Sequence, residues 1–362
     1  MTEIHRLTRR PASPPTARPV RHRAAGLLAA LLLPLMLGGP AVAQTPGPAP
    51  TGAANPAPGS NPLIRDRFTA DPAPLVVGDR LYLYVSHDQA RDGEMFNMSD
   101  WWLYSTTDMK HWEDHGAVLA LEEFKWAKKD AWASQVIEKD GRFWFYVSVE
   151  HDDTHPGKAI GVAVSDSPTG PFVDAKGSAL ITNQMTPKGE HSWEDIDPTV
   201  FTDDDGTTWL AWGNRQAYIA KLKPNMIEID GPITEITPPH FEEGPWLHKR
   251  GDLYYLTYAS LDRSTHTDER ISYATAPSIQ GPWTYRGELT GEARNSFTIH
   301  PGIAQFKDQW YIFLHNASLT IGDQKGALGR RAVTAEYLYY DEDGTMKPVV
   351  QTEEGVSVPP ER

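Results

Sequence analysis

Apolar and polar residues alternate along this chain in short runs, and the runs come in pairs. From residue 61 onward, stretches such as "RLYLYVSHD" (80–88), "RFWFYVSVE" (142–150), "LYYLTYAS" (253–260) and "QWYIFLHN" (309–316) read as strands bounded by turn residues. Helical periodicity is scarce, so the pattern predicts an all-β chain.

One unit recurs: a polar start, an apolar strand, a tight turn and a second strand loaded with aromatics. Its five copies are "DPAPLVVGDRLYLYVSHD" from Asp71, "WASQVIEKDGRFWFYVSVE" from Trp132, "DPTVFTDDDGTTWLAWG" from Asp197, "EGPWLHKRGDLYYLTYAS" from Glu243 and "HPGIAQFKDQWYIFLHN" from His300. Each is followed by signals for a third and a fourth strand, at 103–116, 160–177, 217–231, 271–287 and 332–346. Four-stranded units repeated every ~45–65 residues predict a five-bladed β-propeller. A two-sheet sandwich would not account for five hairpins sharing one order of features.

The repeat sorts the acidic residues. In a propeller the first strand of each blade lies nearest the axis, so the residues opening the five inner strands, Asp71, Trp132, Asp197, Glu243 and His300, should meet at one mouth of the channel. Asp203, Asp204 and Asp205 lie six to eight residues beyond Asp197, in the turn before Gly206. At about 3.3 Å per residue that turn is roughly 20 Å away, where Asp-Gly is turn chemistry. Glu194 and Asp195 compete with Asp197, and Glu242 with Glu243. Asp197 shares with Asp71 the slot before proline, and Glu243 precedes Gly-Pro. Three like charges in one buried place are costly and point to use.

Charge and composition narrow the class. Residues 1–43 contain six arginines, the apolar run "AAGLLAALLLPLMLGG" and a terminal "AVA", which is the pattern of a secretory signal peptide. The expectation is a secreted or periplasmic protein. Residues 44–60 read as a Pro/Gly/Ala-rich linker and 61–362 as the propeller domain. The formal charge of −14 becomes −19 without the six Arg and one Glu of 1–43, which disfavours nucleic acid and, after leader removal, anionic membrane. There is no cysteine, so no disulfide holds the fold. No GxSxG, HExxH or phosphate-loop motif occurs, and "HDDTH" (151–155) reads as a polar loop.

Two carboxyl groups flanking a scissile bond are what glycoside hydrolysis needs, one protonated and one ionised. The segments "FTADPAPLV", "DIDPTVFTDDDG", "EGPWLHKRGDLYYLTY" and "FTIHPGI" together resemble glycoside hydrolase family 43, over nearly the whole length from about residue 61. That resemblance implies an inverting hydrolase in which Asp71 is the general base, Glu243 the general acid, and Asp197 tunes and orients Glu243. It further implies substrate contacts from Trp132 (in "WASQ" where family members have "WAPD"), from His300 and from Arg331, favoured over Arg330 because it directly precedes a strand. No cofactor is required for the chemistry, and the resemblance admits a structural Ca2+ in the channel near His300. The expected substrates are pentose-containing: arabinoxylan, arabinan and xylo-oligosaccharides. An exo-acting α-L-arabinofuranosidase or β-xylosidase leads; an endo-arabinanase or a non-catalytic carbohydrate-binding propeller is the alternative. The chain ends soon after the fifth unit, so loops such as "SHDQARDGEMFNMSDWW" (86–102) should build the subsite beyond the cleaved bond.

Overall fold

Period-two alternation places neighbouring side chains of a strand on opposite faces, and here both faces are apolar. In the computed structural model, which describes residues 56–186 and 191–361, each second strand feeds two different cores. Leu81, Leu83 and Val85 pack with Phe313 and Val333 between the last blade and the first, while Tyr84 turns to the next junction and meets Phe145. Leu210 and Trp212 join Tyr146 and Ile160, whereas Ala211, between them, joins Leu256 and Tyr258. The aromatic load of the repeats is therefore the filling between blades.

Four blades carry at least four antiparallel strands. Blade I comprises Thr69–Val77, Arg80–His87, Asp100–Thr106 and Glu113–Ala120. Blade II has Ser134–Lys139, Arg142–His151, Lys158–Ser165 and Val173–Asp174, with Ala127–Lys129 and Ile181–Thr182 added. Blade III has Thr199–Thr202, Thr208–Trp212, Tyr218–Lys221 and Thr234–Glu235; blade IV has Phe241–Arg250, Leu253–Ser260, Arg270–Ala276 and Thr284–Thr290. Blade V has Gly302–Phe306, Gln309–Asn316 and Ala332–Leu338. The first strands touch in a closed ring, blade I meeting both II and V. This is a five-bladed β-propeller.

Two expectations need correction. The fourth strand of blade III lies at 234–235, beyond the 217–231 stretch, because Leu222 and Ile229 bridge across a local turn. Blade V has three strands in its sheet, since the chain after Leu338 folds back in a Tyr340–Met346 bridge. Its outer edge is covered by the start of the domain instead. Leu63 N donates to Val333 O (2.9 Å), Thr69 N to Arg331 O (2.9 Å) and Ala335 N to the side-chain oxygen of Asn61 (2.9 Å). Residues 57–60, expected as linker, take part: Val356 N donates to Gly59 O at 3.0 Å. Edge strands left open invite aggregation, and this one is closed. The leader and most of the linker (1–55) lie outside the described residues. Among those described, no helix is long and apolar enough to cross a membrane.

Candidate active site

Five dipeptides ring the channel at one end: Asp71-Pro72, Ala133-Ser134, Asp197-Pro198, Gly244-Pro245 and His300-Pro301. This register revises the slot expected from the sequence. Asp71, Asp197 and His300 occupy it, but in blades II and IV its occupants are Ala133 and Gly244. Trp132 and Glu243 stand one residue earlier, on the outer side of the ring. The difference is one of packing. At blade IV the slot needs a left-handed backbone (Gly244, φ +57), and a Cβ there would come within 3.0 Å of the His300 ring. A side chain there would press on that ring, and the acid stands one position earlier, reaching inward with its longer side chain.

Asp71 and Asp197 adopt the same left-handed conformation, φ +51 and +57, although each precedes a proline. Non-glycine residues rarely do so, and proline pushes its predecessor towards extended backbone. The strain is held by one device used twice. The Asp71 amide donates to Nδ1 of His315 (3.1 Å) and the Asp197 amide to Oγ of Ser148 (2.7 Å), in each case from the second strand of the preceding blade.

His300 forms the hub. Its Nδ1 lies 3.1 Å from Asp71 Oδ1, its Nε2 3.0 Å from Glu243 Oε1 and 3.8 Å from Asp197 Oδ2. Burial alone would lower the imidazole pKa, but Asp197 and Asp71 carry it well above the ordinary value, so the ring is an imidazolium. Burial opposes ionisation of Asp71 as well, yet Arg331 and His300 outweigh it and hold the carboxyl far below the usual range. Arg331 Nη1 is 3.2 Å from Asp71 Oδ1, and its other donors are fixed by Asp88 at 2.9 and 3.0 Å.

Asp197 and Glu243 titrate as a pair. Burial raises Asp197 to about 7, with Glu243 and Asp71 adding to the rise against the pull of His300. Glu243 moves the other way: burial would raise it, but His300 and the Asn214 amide (Nδ2 to Oε2, 2.7 Å) bring it below its ordinary value. The two shifts run in opposite directions, Asp197 upward and Glu243 downward, around the His300 they share. Glu269, fully buried behind them, accepts from Ile299 N at 3.1 Å and is kept protonated by burial and by the nearby Glu243 charge.

Trp132 lines the inner pocket with Phe96, Met98 and Trp193. The Nζ of the buried Lys158 sits 3.4 Å from the centre of the Trp132 ring, occupying one face. Lys158 is itself ion-paired with Asp130 and Glu150. Phe96, Met95 and Met98 come from the 86–102 loop, so that loop reaches the site as expected. The inner pocket, about 40 Å³, shares Phe96, Trp193, Glu243 and Thr298 with an outer vestibule of about 410 Å³.

The competing acids face elsewhere. Asp195 accepts from Thr186 and Trp212, and Glu194 from the His191 amide. Glu242 pairs with Arg263 at the rim. Asp203 and Asp204 bind Lys249 at the far end. Arg330 pairs with Asp92, leaving Arg331 as the arginine of the pocket. In "HDDTH" His151 is the buried end of the strand Arg142–His151 and contacts Asp152, which begins the exposed turn expected there.

A calcium bound through His300 does not fit these donors. Asp197, Glu243 and His300 converge within 4.8 Å, but they offer two carboxylates and one imidazole whose ring nitrogens both point at carboxylates. Calcium also seeks six to eight oxygens.

Sequence reasoning missed Asn214, His315, Asp88 and Ser148. All lie where a second strand returns to the mouth, in "WGN", "LHN", "SHD" and "YVSVE". A polar residue recurring at that point of an aromatic strand was the available signal.

A family model described as glycosyl hydrolases family 43 matches residues 60–346. A xylosidase/arabinosidase of Bacteroides ovatus is 32% identical over 331 residues, covering 78% of this chain and 95% of the relative. An arabinoxylan arabinofuranohydrolase of Bacillus subtilis (strain 168) is 29% identical, over 82% of this chain and 65% of the relative. Among solved structures, a family 43 β-xylosidase/α-arabinofuranosidase from a compost microbial metagenome, in complex with xylotriose and calcium-free, superposes with a TM-score of 0.69. It is 28% identical and covers 81% of this chain and 98% of that one.

Proposed function

The chain belongs to glycosyl hydrolase family 43, and from that premise we propose that it releases terminal α-L-arabinofuranosyl or β-D-xylosyl units with inversion of the anomeric carbon. It is a glycoside hydrolase whose relatives are named for xylosidase, arabinosidase and arabinoxylan-directed activities. Arabinoxylan, arabinan and xylo-oligosaccharides are the substrates in this reading. The observation that carries it is the placing of the Asp71 and Glu243 carboxyls on opposite corners of the His300 ring. Direct attack by water requires such carboxyls about 6.5–9.5 Å apart, and the imidazole lying between these two holds them out of contact with each other.

Asp71, held ionised by Arg331 and His300, takes a proton from the attacking water. Glu243 gives a proton to the leaving oxygen. That proton is stored in the Asp197–Glu243 pair, and Glu243 takes it up when the leaving oxygen arrives beside it. Asp197 is a positioning residue, fixed by the Gly244 amide (3.0 Å to Oδ2). The face of Trp132 not covered by Lys158 forms a wall for the sugar, and Arg331 closes the base of the site through Asp71. The small inner pocket ends on the ring of five dipeptides, which favours terminal release over cleavage within a chain. The reading routes no step through a metal. Export, read from residues 1–43, suits a polymeric substrate.

Incubation with arabinoxylan, arabinan and xylobiose, followed by proton NMR of the first product formed, tests the proposal. A free pentose of inverted configuration is expected. Retained configuration would refute the roles given to Asp71 and Glu243, and oligosaccharides without pentose would refute terminal release.

A further inference from the structure

The vestibule outside Glu243 carries two arginines that the hydrolytic steps do not use. Successive residues of blades III and IV face one another there. Asn214 holds Glu243, while Arg215 Nε lies 3.8 Å from Glu242 Oε1 and Arg263 Nη2 lies 2.5 Å from the same oxygen. Two guanidiniums thus share the Glu242 carboxylate, and with the neighbouring Glu243 the cavity wall sets two cations against two acids in a chain whose formal charge is −14.

Exposure decides which partner faces the cavity. The Arg215 and Arg263 side chains are 52% and 53% exposed, and that of Glu242 only 9%. The carboxylate lies behind and the guanidiniums in front. Arg215 is also held in a left-handed backbone (φ +61), with its amide donating to Glu242 O at 2.6 Å. Such a conformation is unfavourable for arginine and persists only where its surroundings impose it. Partly exposed Trp193 and Phe297 line the same cavity.

We propose that this vestibule binds a carboxylate-bearing substituent, a uronic acid branch on the saccharide that departs with the Glu243 proton, and that Arg215 and Arg263 clamp it. The inference rests on the reading of Glu243 as general acid, because the departing saccharide must then occupy the space just beyond it. The planar fork of a guanidinium matches a carboxylate bidentately, and neighbouring aromatic rings offer apolar faces to a sugar. Glu242 orients the pair without saturating it, since a guanidinium has five donors.

The test compares kcat/KM for two xylo-oligosaccharides, identical except that one carries a glucuronic acid branch on the sugar next to the cleaved bond. For Arg215→Gln, the acidic substrate should lose about tenfold, chiefly through KM, with the neutral one changed less than twofold. Raising the salt concentration should erode the wild-type preference in the same direction. Equal losses on both substrates, or an unchanged ratio, would overturn the clamp. Arg263→Gln is judged by the same ratio, while exposed Arg215 supplies the variant least dependent on folding. Failure of the wild type to release pentose from the neutral substrate would instead overturn the underlying reading of the site.

Discussion

Asp197 and Asp203 stand at opposite ends of one inner strand, and their surroundings share almost nothing. Asp203, in the turn, has a cation shared only with exposed Asp204, and a hydroxyl: Lys249 Nζ at 3.1 Å and Tyr254 OH at 2.6 Å. Burial is the largest single influence and would raise it, but Tyr254, a backbone amide and Lys249 together lower its pKa. Asp197, at the mouth, has no cation of its own. It shares His300 with Asp71 and Glu243, and burial lifts it to about 7. The same residue type is a fastener at one end and a proton store at the other. Burial and the number of cations per carboxylate make the difference.

The comparison breaks or holds most clearly at the reacting carboxyls. Glu243→Ala and Asp71→Ala should each reduce kcat by about 10³-fold or more on aryl pentosides, with circular dichroism unchanged. A loss below tenfold in either would remove that residue from the chemistry.

Asp197→Asn should cost on the order of 10²-fold in kcat and alter the pH profile. In the wild type the pair retains its proton up to about pH 7, so kcat/KM should fall as pH rises above 7. Without Asp197 the proton has only Glu243, whose pKa is lowered, and the alkaline limb should move to lower pH. A profile identical to the wild type would show that the pair stores nothing.

Asp203→Asn should leave kcat/KM unchanged and lower Tm by roughly 2–4 °C at neutral pH. Because its folded pKa is depressed, its stabilisation is present above about pH 4 and lost as pH falls, so the Tm difference should close in acid. A tenfold loss of activity would erase the contrast between the two ends.

The propeller was legible because its signal is local: alternation, tight turns and five repeats of one order. The convergence of Asp71, Asp197, Glu243, Trp132 and His300 was legible because the repeat translates position in a unit into position in space, whereas Arg331 came only from the family resemblance. What remained hidden depends on contacts between blades. The displacement of Glu243 from the slot follows from a His300 ring that comes from a different blade. The lowering of Glu243 comes from His300 and from Asn214, groups of other blades that no pattern along one strand reveals. Blade V lacked its fourth strand for a similar reason, since the covering segment lies some 270 residues away, as in the Asn61–Ala335 pairing (separation 274).

That pairing also orders events in time. Asn61 leaves the ribosome 274 residues before Ala335, so the seam cannot be sealed until blade V has been made. A chain that stops short of Gly302–Phe306 leaves the apolar faces of blades I and IV uncovered, and the barrier to completing the circle is the closure of one very long loop.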